Sequence, residues 1–318
     1  MKPHIPVLAP TPRPIAVADP PRIRRGLNRD FRFGLLMMLP AVAVLSFVMI
    51  YPAIVAVQSS FFRIHTVTRA ESFVGLENYV RLLGDAVFWD SFKRTAVWVL
   101  GAISTQMIAG ILVALVLQKA VKGRSVVRGL VLFPYLVPAI VAVLTWRWIF
   151  SDTVGVANYL LVDVFGVADR PIGWFHPDWA MVSVIIMSLW KYLPYWGLLV
   201  LARLQVVPTD LYEAAEIDGA SGWQKFWYIT FPWILPVLVV LLILRSIWAF
   251  NEFDMVYLPA GGGPLFETTT IPVYIRRVAF EFGDIGHAAA VAMAMLILVT
   301  VLTNFYFWVY RRAEQRLV

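Results

Sequence analysis

Cysteine is absent from the sequence, and charged residues are scarce. Without cysteine the chain has no disulfide framework and no thiolate metal site. Only 15% of the 318 residues are charged, whereas 60% are hydrophobic, and the mean hydropathy is +0.74. A soluble domain of this composition would lack the polar surface that keeps it dispersed in water. The composition therefore predicts a protein whose main solvent is a lipid bilayer.

Signatures of metal, nucleotide and nucleic-acid binding are also missing. The four histidines are scattered without ligand-like spacing, so the pattern predicts no metal site. No Gly-x4-Gly-Lys-Ser/Thr stretch occurs, so the chain has no loop that cradles ATP phosphates. The basic residues that produce the net charge of +7 lie between long apolar runs rather than on one soluble face, which argues against a nucleic-acid partner. We expect no catalytic residues and no bound cofactor.

Six apolar segments are long enough to cross a bilayer as helices. They cover residues 33–57, 95–117, 127–150, 180–201, 234–253 and 286–310. Residues 1–30 are rich in Pro and Arg and are expected to form a disordered cytoplasmic tail, with residues 31–318 as the transmembrane domain. Pro134, Pro138 and Pro194 interrupt the third and fourth segments, where a broken helix either lines a cavity or is an ordinary packing feature.

Lys and Arg residues predict the direction of insertion. They are concentrated in the N-terminal tail, the second-to-third connection, the fourth-to-fifth connection (Arg203 and Lys225) and the C-terminal tail, and are sparser in the loops on the opposite side. Basic loops remain in the cytoplasm, so both termini are expected there, in agreement with an even number of spans. The predicted fold class is an all-α polytopic membrane protein with six transmembrane helices.

The connection between the fourth and fifth segments, about residues 208–232, predicts two short helices at the cytoplasmic surface. Pro208 and Asp210 favour the start of the first helix, with Asp210 as a possible N-cap residue. Gly219 permits the left-handed conformation that ends it, and Ser221 can cap the second helix. The small residues at the tip would let a partner's backbone approach closely.

The second of these helices is expected to be amphipathic and to end before the fifth span. Its apolar stripe, at helical spacing, is formed by Trp223, Phe226 and Trp227. Pro232 and Pro236 are expected to mark the re-entry into the membrane. The two helices together are expected to form an amphipathic pair at the cytoplasmic surface.

The same connection resembles the EAA loop of ABC importer permeases: Glu-Ala-Ala, three residues, Gly, nine residues and Ile-x-Leu-Pro. Residues 213–215, Gly219, Ile229 and Pro232 fit this spacing, and Phe231 replaces the usual Leu. The resemblance implies a type I ABC importer permease fold whose coupling helices dock on a separate ATPase. The residues implied in that contact are Glu213, Ala214, Ala215, Asp218, Gly219 and Ala220.

Shorter segments narrow the resemblance to the carbohydrate-uptake class, in its maltose-transporter F-like branch. They are residues 75–79 (GLENY), 190–192 (WKY), 250–257 (FNEFDMVY) and 261–264 (GGGP). The resemblance implies a permease subunit that moves a carbohydrate or polyol across the bacterial inner (plasma) membrane. It also implies three partners: a second permease subunit, an ATPase dimer that binds ATP and Mg, and a periplasmic or lipid-anchored solute-binding protein.

Ionisable and aromatic side chains in the fourth and fifth segments predict a substrate path, because such groups are costly inside a membrane. Sugar rings stack on aromatic faces, and their hydroxyls hydrogen-bond to Asn, Glu and Lys. The candidate pathway residues are Trp190, Lys191, Tyr192, Tyr195, Trp248, Asn251 and Glu252. The alternative is that Lys191 pairs with Glu252 or Asp254 and only holds two helices together.

Two other classes of membrane protein are weighed against the importer. A secondary active transporter usually shows internal repeats and midplane carboxylates, and neither is evident. A membrane-embedded transferase calls for paired carboxylates or a His–Asp constellation near one membrane face, whereas the acidic residues here are dispersed. The sequence therefore favours the importer permease.

Overall fold

The computed structural model describes residues 27–66, 70–118 and 123–314, in two compact units divided after Ile54. The first unit holds α1 (Leu27–Leu45), a π-helical turn (Ser46–Ile50) and the start of α2 (Tyr51–Ser60). Its apolar side chains are exposed, as expected of a helix whose surface meets lipid. Helix α1 begins inside the predicted tail of residues 1–30, and residues 1–26 of that tail lie outside the described residues.

The second unit is mainly helical, with one small antiparallel hairpin of β1 (Phe62–Ile64) and β2 (Glu71–Phe73). Its helices are α3 (Glu77–Leu83), α4 (Ala86–Gln118), α5 (Arg124–Leu136), α6 (Ala139–Ile149), α7 (Val156–Asn158), α8 (Ala180–Leu204), α9 (Thr209–Ile217), α10 (Gly222–Lys225), α11 (Phe231–Phe250), α12 (Asp254–Ala260), α13 (Ile271–Arg276) and α14 (Ile285–Glu314). π-Helical turns follow α7, α10 and α13, at Tyr159–Val164, Phe226–Thr230 and Arg277–Glu281.

Five helical stretches of the described chain are long and apolar enough to cross a membrane, and a bent pair supplies a sixth span. The bent pair corrects the third predicted span, because α5 and α6 meet at 97° rather than forming one helix. The break lies at Val137 and Pro138, which both have extended backbones. Proline lacks an N–H and disfavours helix in the preceding residue. Pro134 and Pro194 lie inside α5 and α8, so the expectation that they also break their helices is wrong.

The core of the second unit lies where α4, α8 and α11 pack together. Trp98, Trp196 and Ile234 are fully buried there. The indole Nε1 of Trp98 donates a hydrogen bond to the carbonyl oxygen of Ala249 at 3.0 Å, so the end of α11 is tied to α4. In a membrane, close packing and interhelical hydrogen bonds hold helices together. This three-helix core positions the side chains of the candidate site.

Candidate functional site

The loop between α8 and α11 begins with α9, whose start is set by proline. Pro208 is the N-cap residue, with φ −59° and ψ 133°. Asp210 lies in the first turn instead, so its prediction as the N-cap is wrong. The extended backbone of Pro208 already meets the requirement of the N-cap position, and the helix therefore begins at Thr209.

The end of α9 confirms the role predicted for Gly219. This glycine has φ +74°, the left-handed conformation that disfavours other residues. Its amide donates to the carbonyl of Glu216 at 3.0 Å, and the Ala220 amide donates to the carbonyl of Ala215 at 2.8 Å. These paired bonds form a Schellman motif, which satisfies the last carbonyls of the helix and turns the chain sharply.

Ser221 caps the next helix, as predicted, through a reciprocal capping box with Gln224. The expectation of a second short helix is wrong, however. From Gly222 the chain stays helical through the π-turn and α11 to Phe250, so the loop and the fifth span share one continuous helix. The wider π-turn directly precedes Pro232, whose ring would otherwise clash within an α-helical turn. Pro232 and Pro236 therefore do not separate the loop from the span.

Two contacts hold α9 against this long helix. Lys225 Nζ lies 2.6 Å from Glu216 Oε1, and the hydroxyls of Tyr212 and Thr230 lie 3.0 Å apart. The hydrogen bond from Lys225 lowers the pKa of Glu216 below its ordinary value, which keeps the carboxylate ionised. Together with the two caps, these contacts make α9 and the start of the long helix a braced unit, here called the coupling foot (residues 208–230).

The predicted coupling residues lie on the surface of this foot. Glu213, Ala214, Asp218 and Gly219 are exposed, and Ala215 and Ala220 are half-buried. Within the described part of the chain, Glu213 forms no ion pair. Large apolar side chains are also exposed here, with Ile217 at 87%, Trp223 at 71% and Tyr228 at 81%. Exposed apolar side chains beside small residues and an unpaired carboxylate are features of a protein contact surface.

A cavity of about 350 Å³ lies at the opposite end of α11 from the foot. Its lining residues are Tyr192, Arg245, Trp248, Asn251, Glu252, Phe253 and Asp254. Four of the seven predicted pathway residues therefore line one space. The Tyr195 ring borders it through contacts with the rings of Trp248 (5.5 Å between centroids) and Tyr135 (6.5 Å).

The other two predicted pathway residues point elsewhere. Trp190 packs edge-on against Trp146 of α6, with 6.0 Å between ring centroids. Lys191 is buried and its Nζ donates to the carbonyl oxygen of Val137 at 2.6 Å. That carbonyl lies at the break between α5 and α6, so Lys191 stabilises the broken span. Neither residue lines the cavity.

The partner of Glu252 is Arg245 rather than Lys191. Arg245 Nη1 lies 3.9 Å from Glu252 Oε2, and the Tyr192 hydroxyl donates to the same oxygen at 2.9 Å. The alternative in which Lys191 pairs with Glu252 or Asp254 is therefore wrong, because Lys191 is engaged at Val137. The pair of Arg245 and Glu252 connects α11 to the residues just after its own C-terminus and does not join two helices.

Arg245 itself is held by side chains from two other helices. Its Nε donates to Gln106 Oε1 at 3.0 Å, and Nη2 lies 3.4 Å from Ser188 Oγ. Gln106 Nε2 donates in turn to Ser188 Oγ at 2.9 Å. Sequence reasoning did not identify Gln106, Ser188 or the ring partner Tyr135. Gln106 is the one amide side chain in the segment of residues 95–117, and this is the signal that could have marked it.

Comparison with known proteins agrees with this architecture. Residues 106–317 match the family described as "Binding-protein-dependent transport system inner membrane component". The chain is 38% identical over 284 residues to the trehalose/maltose transport system permease protein MalF of Thermococcus litoralis, covering 89% of this chain and 95% of that protein. It is 35% identical over 272 residues to the inner membrane ABC transporter permease protein YcjO of Escherichia coli, covering 85% and 91%.

The fold also matches a solved structure. It is similar to a chain in the crystal structure of a bacterial ABC transporter involved in the import of the acidic polysaccharide alginate, with a TM-score of 0.78. The match covers 91% of this chain and 98% of that one at 23% identity, a level that shows the fold alone. The predicted fold class, a helical type I importer permease, is thereby confirmed.

Proposed function

The chain belongs to the family of binding-protein-dependent transport system inner membrane components, and we propose that it carries a carbohydrate or polyol through the membrane for an ATP-driven importer. The family membership favours the importer over the secondary transporter and the transferase. The trehalose/maltose permease of Thermococcus litoralis, at 38% identity, supports a carbohydrate as the solute. The aromatic rings and hydrogen-bonding groups around the cavity suit the same chemistry.

The solute path in this proposal runs through the cavity at the end of α11. Trp248 and Tyr192 offer ring faces, while Asn251 and Glu252 offer hydrogen-bonding groups. Tyr195 extends the aromatic wall through its contact with Trp248. Lys191 and Trp190, which were expected on the path, act instead as supports for the α5–α6 break and for α6. A cavity of this volume is at the small end of ligand pockets, which range from about 300 to 1,000 Å³.

The coupling foot receives force from a separate ATPase in this proposal. Glu213 offers its carboxylate to a basic group on that partner, and Gly219, Ala214 and Ala220 permit close approach of its backbone. The observation that carries the proposal is the continuity of the foot with the fifth span from Gly222 to Phe250. Because one helix joins the foot to the cavity, a movement at one end is transmitted rigidly to the other.

The remaining partners follow from this arrangement. ATP and Mg are bound by the ATPase dimer, and a second permease subunit completes the membrane path. A periplasmic or lipid-anchored solute-binding protein delivers the solute from the opposite face. The coupling foot and both termini lie in the cytoplasm, and the transmembrane domain begins near residue 31.

Two substitutions in the foot test the coupling proposal. We expect Glu213→Lys and Gly219→Asp to abolish uptake and to stop co-purification of the ATPase, while the chain still inserts normally. The matched control is Glu71→Lys, which makes the same charge change on exposed strand β2, and we expect it to retain uptake. Uptake and co-purification from detergent extracts are the measurements.

The outcomes separate the parts of the proposal. Normal uptake by both foot variants at normal expression would show that the foot is not the coupling element. Absence of any ATP-dependent accumulation of carbohydrate or polyol by cells that carry the complete importer would overturn the transport proposal itself.

A further inference from the structure

Arg245 is the most deeply buried charged side chain of the cavity, with 0% of its surface exposed. Two of its nitrogens and one face of the guanidinium have neighbours. Gln106 accepts from Nε, Ser188 lies beside Nη2, and the Tyr192 ring covers the guanidinium plane at 4.0 Å. Within the described residues, its Nη1 has no hydrogen-bond partner. A buried donor without a partner costs free energy, so this N–H is poised for a group that enters the cavity.

Arg245 Nη1 and Glu252 Oε2 are close enough for one hydroxyl oxygen, placed beside the line that joins them, to reach both atoms. Nη1 and Oε2 are 3.9 Å apart, which exceeds the hydrogen-bond range of about 2.7–3.2 Å. An oxygen that lies about 2.8 Å from both atoms can accept from Nη1 and donate to Oε2. A hydroxyl group has both capacities, whereas an ionised carboxylate or sulfonate can only accept. The two atoms therefore favour a hydroxyl over a carboxylate or sulfonate, and discrimination against a sugar that carries both groups comes from the carboxylates of Glu252 and Asp254.

The charged side chains that line the cavity carry a net negative charge. Arg245 is cationic, whereas Glu252 and Asp254 are anionic. Lys191 Nζ lies 5.8 Å from the centroid of the Tyr192 ring and donates to the Val137 carbonyl, and Lys191 does not line the cavity. An anionic solute in the cavity would be repelled by two carboxylates and attracted by one guanidinium. A neutral solute would be neither repelled by the carboxylates nor attracted by the guanidinium as an ion.

We propose that Arg245 and Glu252 form a two-sided clamp that selects neutral polyhydroxylated solutes over anionic ones. Nη1 donates to a solute hydroxyl, and the same hydroxyl donates to Glu252, while Trp248 supports the ring face. This inference rests on the proposed transport function and names the solute class of the same cavity. Gln106 and Ser188 act as positioning residues, because they hold the guanidinium without touching the solute.

Glu252→Gln is the decisive variant, because it preserves the shape of the side chain and removes one negative charge. The lining then holds one positive and one negative side chain instead of one and two. Because the net negative charge is gone, we expect uronic acids to gain roughly tenfold in affinity relative to neutral sugars. Arg245→Gln should lose most of the binding of neutral sugars, and Arg245→Lys should retain part of it. Unchanged preference in Glu252→Gln would overturn the clamp, including the case in which only a water molecule fills the gap.

Arg203→Gln is the matched control for Arg245→Gln. Arg203 also donates from Nε, to the carbonyl of Trp233 at 2.9 Å, and also stacks on an aromatic ring, but outside the cavity. Its loss should lower the thermal stability of the protein and leave the solute preference unchanged. A change of preference in this control would mean that lost packing, rather than the cavity chemistry, sets the preference.

The measurement is saturation-transfer NMR on the purified transporter complex with the full chain, in the absence of a solute-binding protein. The probes are trehalose, maltose and sorbitol against glucuronic and galacturonic acid. We expect signals from the neutral set and none from the acids. Equal signals from both sets, or none from the neutral set, would overturn the inference. Cells that accumulate an anionic sugar by the importer would refute this selectivity and leave the transport proposal intact.

Discussion

Two glycines in apolar helices show how differently single residues are used. A Cβ atom at Gly110 of α4 would lie 2.3 Å from the Trp196 Cβ and 3.2 Å from the backbone of Gly197 on α8. A Cβ at Gly129 of α5 would meet nothing within 4 Å. Small residues let membrane helices approach closely, so Gly110 sets the distance between α4 and α8. Both glycines lie in similar apolar runs, and the sequence pattern does not distinguish them.

We expect Gly110→Ala to destabilise the protein by about 1–3 kcal/mol, because the added methyl group forces two backbones apart. Gly129→Ala is the matched control and should stabilise the helix by about 0.5–1 kcal/mol, since alanine loses less conformational freedom. Thermal unfolding in detergent, followed by tryptophan fluorescence, measures both. Equal midpoints for the two variants would show that the α4–α8 contact at Gly110 is looser than described.

The broken third span shows what decides whether a proline ends a helix or remains inside it. Pro138 separates α5 from α6, whereas Pro134 and Pro194 remain inside helices. A break leaves backbone carbonyls without helical partners, which is costly in a membrane. At this break Lys191 of α8 donates to the carbonyl of Val137. All three prolines have the same helix-breaking signal in the sequence. The hydrogen-bond donor that makes the break at Pro138 tolerable, Lys191, comes from another helix.

A second arrangement of elements joins the start of α4 to α13 and α14. Asp85 accepts hydrogen bonds from the Tyr274 hydroxyl and, at 2.8 Å, from the Val87 amide. Asp284 lies 2.7 Å from Arg81 and accepts from the His287 amide at 3.0 Å. Burial raises the pKa of Asp85 and of Asp284, but these hydrogen bonds outweigh it and leave both pKa values below the ordinary 3.8.

This carboxylate cluster predicts an acid-sensitive stability. A group whose pKa is lower in the folded state stabilises the fold above its unfolded pKa and loses that contribution as the pH falls through the folded value. We therefore expect these two carboxylates to contribute their full stabilisation above about pH 5, and the unfolding temperature to fall below about pH 4 as that contribution is lost. Asp85→Asn should lower it at neutral pH and weaken the acid response.

The control for this prediction is Asp169→Asn, at an exposed position outside the cluster. It should match the wild type across the whole pH range. An acid response that is unchanged in Asp85→Asn would show that other carboxylates produce it. The measurement is a thermal-unfolding series in buffers of matched ionic strength.

The absence of cysteine makes the topology of the whole molecule directly testable. One predicted span, α8, separates the coupling foot from the loop after the Tyr159–Val164 turn, so we expect the two on opposite sides of the membrane. Ile217 of the foot and Val167 of that loop are 87% and 74% exposed. A single cysteine at either position is therefore the only thiol and is accessible to reagents.

We expect a membrane-impermeant maleimide to label Val167→Cys in spheroplasts and Ile217→Cys only after lysis. Positively charged loops remain in the cytoplasm, so the foot is expected there. The cysteine-free wild type supplies the background. Labelling of Ile217→Cys in intact spheroplasts would place the foot outside the cytoplasm and would contradict the proposed contact with an ATPase.

Local signals determined the spans, the caps of the coupling foot and its resemblance to importer permeases. A lipid environment forces each crossing segment to satisfy its own backbone, so apolar length alone marks it, and the Gly219 and Ser221 caps depend on neighbouring residues. The family comparison confirmed the identity that the loop spacing indicated.

Only the tertiary structure decided where the third span breaks, how the foot continues into α11, and which cation faces Glu252. Gln106, Ser188 and Arg245 come from three helices, and their sequence separation carries no signal of contact. Lys191 and Arg245 look alike as cations within apolar runs, yet packing sends one to a carbonyl and the other to the cavity. Side-chain partners depend on helix packing, which the pattern of a single helix does not specify.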